Sequence, residues 1–176
     1  KYKLGLFDDP FRYCDAERAK TEIYTVENIE VARKIASERF GLFKNEDDIL
    51  PLKKSGTIAL IGPLADTKEN MPGTWSVATD LNTAISVKAG LQNALGNKAK
   101  LLYAKGSNLM HDSAYEVRAT MFGRSLNRDN RTASDLLKEV LAAAEQSDVI
   151  VAALGESSEM SGESSSRSDI GIPDAQ

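Results

Sequence analysis

Three short apolar runs along the chain predict the strands of a parallel sheet. They span Thr57 to Ile61, Ala99 to Ala104 and Val149 to Leu154. The last run contains no polar residue, which is typical of a strand buried on both faces. A glycine follows each run closely, where a loop from strand to helix would begin.

Amphipathic segments alternate with these runs and predict helices. Thr25 is a good N-cap for the first helix, because a threonine hydroxyl accepts from a backbone N–H of the first turn. Apolar positions recur there at helical spacing: Val26, Ile29, Ala32, Ile35, Ala36 and Phe40. A second helix begins near Thr83 and ends at Gly96, and Thr132 or Ser134 caps a third. This order predicts an α/β fold, a three-layer α/β/α sandwich with a mainly parallel sheet.

Other parts of the chain carry weaker patterns. Residues 1–24 show no sustained period and indicate a connecting segment, and residues 109–131 allow a helical piece around Ala114 to Phe122. The final residues, from Pro173, resemble the start of a helix. Three strands are few, since sheets average about five or six. We therefore expect the sequence to be a portion of a longer protein, truncated in its sandwich domain.

Composition excludes several classes of function. The net charge of −4 comes with no basic stripe, which argues against nucleic acid, and no apolar run approaches a membrane span. Cys14 and His111 are the only residues of their types, too few for a disulfide framework or a zinc site. No phosphate-binding glycine motif follows a strand, and the loop carboxylates match no calcium or magnesium motif. We expect no cofactor, no metal and a small polar partner.

The candidate chemistry lies in the loop from Gly155 to Pro173. It carries Glu156, Glu159 and Glu163 among serines, directly after the last predicted strand. Carboxylates at the carboxyl end of a parallel strand can serve as general acid, base or nucleophile. The same composition is also typical of a solvated surface loop, which composition alone favours. The single histidine lies far away in sequence, which makes a serine-histidine triad an unlikely arrangement.

Trp75 is the only tryptophan and lies in a glycine-containing segment after the first predicted strand. Its flat face could stack on a sugar ring while its indole N–H meets a hydroxyl. A loop anchor tucked onto the core is an equally good interpretation. The two interpretations predict opposite exposures for this side chain.

Six ordered motifs resemble the α/β sandwich domain of glycoside hydrolase family 3, of the bacterial periplasmic β-glucosidase type. The motifs are LGLFDDPFRY at 4–13, ARKIASERFGLFKNEDDILPLKK at 32–54, IALIGPLAD at 58–66, GTWS at 73–76, YAKGSN at 103–108 and LGESSEMSGESSSRSDIGIP at 154–173. They cover essentially the whole chain. Gly41-Leu42-Phe43 stands where the family usually has Val-Leu-Leu, so Gly41 and Phe43 depart from it, a change that concerns packing.

The resemblance implies a retaining, exo-acting glycosidase in which a barrel domain supplies an aspartate nucleophile and this sandwich supplies the acid/base. Glu163 best matches the acid/base position, with Glu156 as runner-up and Glu159 third. Glu156 directly follows the strand, where backbone N–H groups would hold it in an orienting role. Trp75 and Arg167 are the predicted substrate-binding residues.

The same resemblance predicts the organisation of the protein. Residues 1–24 would be the linker that follows an absent TIM-like barrel, and residues 25–176 the sandwich domain. The expected partners are β-linked glucosides or oligosaccharides and the missing barrel, and the expected location is periplasmic or secreted. The isolated chain is expected to be inactive. The alternative is a non-catalytic α/β module that binds a sugar or a protein.

Overall fold

A computed structural model describes residues 1–73, 75–76, 79–118, 126, 128–160, 162 and 165–176, excluding the side chains of residues 115, 117 and 118. The chain forms two compact units, residues 1–52 and residues 53–176. The predicted domain boundary at residue 24 stays a prediction. Within the described ranges, no helix is both long and apolar enough to cross a bilayer.

The first unit is helical. It contains α1 (Arg18–Glu22), α2 (Val26–Glu38) and two 3-10 helices, Tyr2–Leu4 and Glu46–Asp48. The prediction for α2 is confirmed, since the Thr25 hydroxyl accepts from the Asn28 backbone N–H at 3.2 Å. The short α1 was not predicted, because five residues are too few to show a period. No residue of α2 is buried, and its apolar stripe is exposed.

The second unit contains the predicted parallel sheet. Its strands are β1 (Thr57–Ile61), β2 (Lys100–Ala104) and β3 (Val149–Ala152), in the order β2-β1-β3. Ile58 of β1 lies opposite Leu101 of β2 and Val149 of β3. Both pairings are parallel, so the carboxyl ends of all three strands meet at one edge of the sheet.

Among the described residues of this unit, the α-helices are α3 (Val87–Leu95), α4 (Ser113–Arg118) and α5 (Ala133–Glu145). The Ser86 hydroxyl caps α3, so this helix begins later than the predicted start near Thr83, which lies in a 3-10 helix, Leu81–Thr83. Thr132, one of the two predicted caps, accepts from the Asp135 N–H and begins α5. The α/β sandwich is thereby confirmed.

The core forms around β1, because this strand has neighbours on both sides. Ala59 packs with Ala104 and with Ala143 of α5, while Ile58 and Leu60 point to the opposite face and are buried. The connection from β1 to β2 and the connection from β2 to β3 run in opposite directions across the sheet. Right-handed connections therefore put α3 and α5 on opposite faces, which gives the three layers.

The prediction that the third strand is buried on both faces is wrong. Ile150 is 51% exposed, and Ala152, on the same face of β3, is exposed as well. The physical reason is position: β3 lies at an edge of the sheet, and α5 packs over β2 and β1. The strand also ends at Ala152, two residues before the apolar run does.

Gly62 ends β1 in a conformation that only glycine adopts easily, with φ at 111°. A Cβ at this position would lie 2.3 Å from the backbone oxygen of Ala153, just after β3. We predict that Gly62→Ala in the full-length protein lowers the free energy of opening the sheet by at least about 2 kcal/mol, because left-handed strain costs about 1–3 kcal/mol before the overlap is counted. Native-state hydrogen exchange of β1 and β3 amides measures this.

Gly73→Ala is the matched control, since no atom of the described residues, apart from its chain neighbours, lies within 4 Å of a Cβ built there. We expect that substitution to leave the exchange of the sheet amides unchanged or slightly slower. Equal exchange in the two variants would contradict the steric role of Gly62.

Candidate functional site

The candidate site lies at the edge where the three parallel strands end. We name its segments the β1 loop (residues 62–80), the β2 loop (residues 105–112) and the β3 loop (residues 153–176). Open α/β sheets bind ligands at this edge, because loops from neighbouring strands converge there. The predicted site residues all belong to the β1 and β3 loops.

Glu156 and Arg167 form an ion pair within the β3 loop. The Arg167 guanidinium also donates to the Gly171 backbone oxygen at 3.0 Å. Backbone N–H groups were the expected partners of Glu156, but its contact among the described residues is this guanidinium. The pair holds Glu156 to a residue eleven positions further along the same loop, an arrangement that orients the loop.

Glu159 is buried, with 5% of its surface exposed. It lies in a tight turn in which the Met160 N–H donates to the Ser157 oxygen at 3.1 Å. Within the described residues, neither Glu159 Oε1 nor the buried Ser157 hydroxyl has a hydrogen-bond partner. In this arrangement Glu159 faces inward and does not present its carboxylate to a substrate.

Glu163, the first choice for the acid/base, lies outside the described residues. Its nearest described neighbours in sequence, Gly162 and Ser165, pair with each other as an antiparallel bridge. The Ser165 N–H donates to the Gly162 oxygen at 3.2 Å. The role of Glu163 therefore stays a prediction.

Trp75 is 70% exposed. That exposure fits a side chain available for stacking better than an anchor tucked onto the core. Its contact with a sugar stays a prediction, as does the substrate-binding role of Arg167, whose guanidinium is occupied by Glu156 and Gly171.

Asp66 fixes the start of the β1 loop against α3. Its carboxylate accepts from the buried Ser86 hydroxyl at 2.9 Å and from the Lys88 ammonium at 2.7 Å. The hydrogen bond from Lys88 is the main cause that lowers the pKa of Asp66, and the Ser86 bond adds to it. Lys88 also lies 4.4 Å from the centre of the Tyr103 ring. These contacts tie the loop to both its helix and β2.

An ion pair with a buried carboxylate lies beyond the β2 loop, in a region where the sequence predicts only a helical piece. The Glu116 side chain is 2% exposed and contacts the Arg128 guanidinium. Arg128 also donates to the backbone oxygens of Met110 at 2.9 Å and His111 at 3.0 Å. This arginine thus joins α4, the β2 loop and the segment before α5.

A second charged cluster borders the same region. Arg131 donates to Asp129 at 2.7 Å and to Glu139 of α5 at 2.9 Å. The Arg131 hydrogen bonds lower the pKa of Asp129 to about 2. A cavity of about 340 Å³ lies among these residues. Its arginines are already bound to carboxylates, so the cavity carries no free positive charge among its described lining residues.

Gln176 closes the base of the β3 loop. Its side-chain amide accepts from the Gly155 N–H at 2.8 Å and donates to the Gly155 oxygen at 2.7 Å. The same amide nitrogen lies 3.4 Å from the Leu109 oxygen of the β2 loop. An isolated glutamine gives no sequence signal, so this contact could be found only in three dimensions.

The described part of the loops carries groups suited to acid–base chemistry. No three histidine, cysteine, aspartate or glutamate residues there come close enough to hold a metal ion. Cys14 is exposed in the first unit. The three glutamates of the β3 loop differ: Glu156 pairs with an arginine, Glu159 is buried, and Glu163 lies outside the described residues.

Curated relatives match nearly the whole chain. A periplasmic beta-glucosidase of Salmonella typhimurium is 41% identical over 100% of this chain and 23% of its own length. Thermostable beta-glucosidase B of Acetivibrio thermocellus is 34% identical over 83% of this chain and 17% of its own length. A beta-xylosidase of Formosa agariphila is 29% identical over 98% of this chain. The chain thus spans less than a quarter of the length of these relatives.

Solved structures agree with these relatives. The crystal structure of a beta-glucosidase from Listeria innocua in complex with glucose matches with a TM-score of 0.71 and 31% identity, over 99% of this chain and 20% of that one. A sequence profile described as the glycosyl hydrolase family 3 C-terminal domain matches residues 41–176. The chain therefore belongs to glycosyl hydrolase family 3, and residues 41–176 correspond to its C-terminal domain.

Proposed function

We propose that this chain is part of a retaining, exo-acting β-glucosidase-like glycoside hydrolase and supplies the acid/base loop to its active site. The observation that carries the proposal is the 41% identity, over the whole chain, to a protein named periplasmic beta-glucosidase. The nucleophile would be an aspartate of a preceding barrel domain, with residues 1–24 as the linker. The periplasmic or secreted location is proposed from that relative's name.

In the proposed mechanism Glu163 protonates the oxygen of the departing group while the barrel aspartate attacks the anomeric carbon. Glu163 then takes a proton from the water that hydrolyses the glycosyl-enzyme. Retention requires the two carboxyl groups about 5–5.5 Å apart. The Glu156–Arg167 pair supports this assignment indirectly, because it engages the Glu156 carboxylate within its own loop.

The substrates proposed are β-linked glucosides or oligosaccharides, with Trp75 stacking on a sugar ring. The solved Listeria innocua structure holds glucose, and a second one from the same organism holds laminaribiose. β-Xylosides are the second candidate, because several curated relatives are named as xylosidases.

An assay of the full-length protein and of residues 1–176 alone tests this function. We expect the full-length protein to hydrolyse aryl β-glucosides faster than aryl β-xylosides, with retained configuration at the anomeric carbon by NMR. The 176-residue chain should show no turnover, since an acid without a nucleophile and a covered site loses most of the rate enhancement. Turnover by the short chain, or inversion by the long one, would contradict the proposal.

A further inference from the structure

One hydrogen bond joins the middle of the β3 loop to the β1 loop. The backbone N–H of Ser158 donates to the side-chain oxygen of Asn70 at 3.0 Å, across 88 positions of sequence. Ser158 lies between Glu156 and Glu159, and Asn70 lies five residues before Trp75. Both partners are half-buried, so water competes less for this bond than at an open surface.

The neighbours of Asn70 fix the orientation of its amide. The Asn70 nitrogen donates to the Thr67 hydroxyl oxygen at 3.1 Å, and that hydroxyl donates its only proton to Glu69 at 2.9 Å. The Thr67 oxygen can therefore act only as an acceptor towards Asn70. Contacts within the β1 loop alone therefore orient the amide oxygen of Asn70 towards the Ser158 N–H.

The part of the β3 loop that bonds to Asn70 is the tight turn at 157–160. Ser157, Glu159 and Met160 are buried, and the turn is closed by the Met160 N–H bond to the Ser157 oxygen. A buried turn moves as one piece, so the bond to Asn70 acts on the whole turn and not on Ser158 alone. The segment that carries Glu163 begins directly after it.

The far side of that segment is anchored separately. Arg167 binds Glu156 and the Gly171 oxygen, and Gln176 binds both backbone polar atoms of Gly155. These contacts lie within the β3 loop or at its base. The Asn70 bond differs from them because it fixes the loop relative to the segment leading to Trp75.

We propose that Asn70 is a positioning residue that holds the acid/base loop in register with the segment leading to Trp75. The inference rests on the proposed function, with Glu163 as the acid and Trp75 on the sugar. Asn70 touches neither the reacting atoms nor the substrate; it acts through the turn at 157–160. Its loss displaces the acid relative to the leaving group while the nucleophile, on another domain, keeps its place.

The test uses the full-length protein with Asn70→Ala, which removes the acceptor, and Asn70→Asp, which keeps an oxygen towards Ser158. Asn82→Ala is the matched control, because the Asn82 side chain bonds Asp80 in its own turn. Each variant is assayed on dinitrophenyl β-glucoside, whose leaving group needs no protonation, and on phenyl β-glucoside, whose leaving group benefits from it.

We expect Asn70→Ala to lower kcat/KM on the phenyl glucoside about 10- to 100-fold, since displacements near 1 Å cost about 100-fold. On the dinitrophenyl glucoside the loss should be no more than about 3-fold, because that substrate depends little on the acid. Asn70→Asp should recover part of the loss, because its carboxylate can accept from Ser158 but cannot donate to Thr67. Equal losses on both substrates, or rates matching Asn82→Ala, would overturn the proposal.

Hydrogen exchange at the Ser158 amide gives a readout that does not depend on turnover. Exchange should accelerate in Asn70→Ala and stay slow in Asn70→Asp and Asn82→Ala. Unchanged exchange in Asn70→Ala would overturn the proposed contact.

Glu163→Ala in the glucoside assay distinguishes failure of the proposed function from failure of the role of Asn70. If that variant keeps wild-type rates on the phenyl glucoside, the acid assignment fails. If it loses them while Asn70→Ala does not, the role of Asn70 fails.

Discussion

Replacing Glu163 with alanine in the full-length protein should lower kcat on unactivated disaccharides by roughly 10²–10⁴-fold, the usual contribution of a general acid. Hydrolysis of a dinitrophenyl glycoside should begin at a nearly normal rate, because its leaving group departs without a proton. Added azide should then speed turnover of that activated substrate, since azide attacks the glycosyl-enzyme without needing a base. Stopped-flow kinetics measure the initial rate, and steady-state kinetics with and without azide measure the loss of kcat and its rescue.

Glu156→Ala is the matched variant, because it removes the same functional group from the same loop. We expect it to lower kcat on both classes of substrate by similar factors, because Arg167 loses its partner in either case. Those factors should be smaller than the loss that Glu163→Ala causes on disaccharides. If Glu156→Ala selectively loses the disaccharides while Glu163→Ala retains them, the acid/base is Glu156. Azide rescue would then follow Glu156→Ala instead.

Arg128→Ala should lower the free energy of opening the second unit by about 3–5 kcal/mol, the cost of leaving one member of a buried ion pair alone. Glu116 is 2% exposed, and its Oε1 already lacks a hydrogen-bond partner within the described residues. Removing the guanidinium therefore leaves a buried carboxylate without the ion pair that Arg128 supplies. The Met110 and His111 oxygens lose a donor as well. Native-state hydrogen exchange of the β-sheet amides measures the loss in the full-length protein.

Lys138→Ala is the control for this change, because it removes one positive charge from an exposed pair with Asp135. We expect that variant to stay within about 1 kcal/mol of the parent, as exposed pairs contribute little. Adding Glu116→Gln to Arg128→Ala should recover part of the loss, since a neutral amide is less costly to bury. An effect of Arg128→Ala no larger than that of Lys138→Ala would show that Glu116 has another partner.

The sheet could be predicted from sequence because its determinants are local. β1 is an apolar run bounded by glycines, and Thr25 and Thr132 are helix caps that act within one turn. Such signals do not require knowledge of the rest of the chain. The burial of β3 could not be predicted in the same way, because an edge strand and a central strand can have the same apolar run. Exposure of Ile150 depends on where α5 lies.

The candidate site was predictable only in part. The position of the carboxylates after β3 follows from the run and the loop, but their environments do not. Glu156 meets Arg167 across eleven positions, and Glu159 turns inward. Asn70 and Gln176 gave no signal, because a single amide becomes informative only when its distant partner is known. The Glu116–Arg128 pair in residues 109–131 could not be predicted, because charged residues in a sequence look the same whether they are exposed or pair in the interior.

The strand order β2-β1-β3 also determines the order of events during synthesis. β1 needs both neighbours to complete its hydrogen bonds, and β3 is the last of the three to be made. A ribosome adding roughly 5–20 residues per second takes about 2–9 s to pass from Ala104 to Val149. Throughout that interval one edge of an apolar strand stays open, which is a template for pairing with another chain. A chain that folds while it is made is therefore open to such pairing for some seconds, until the strand that leads into the proposed acid/base loop exists.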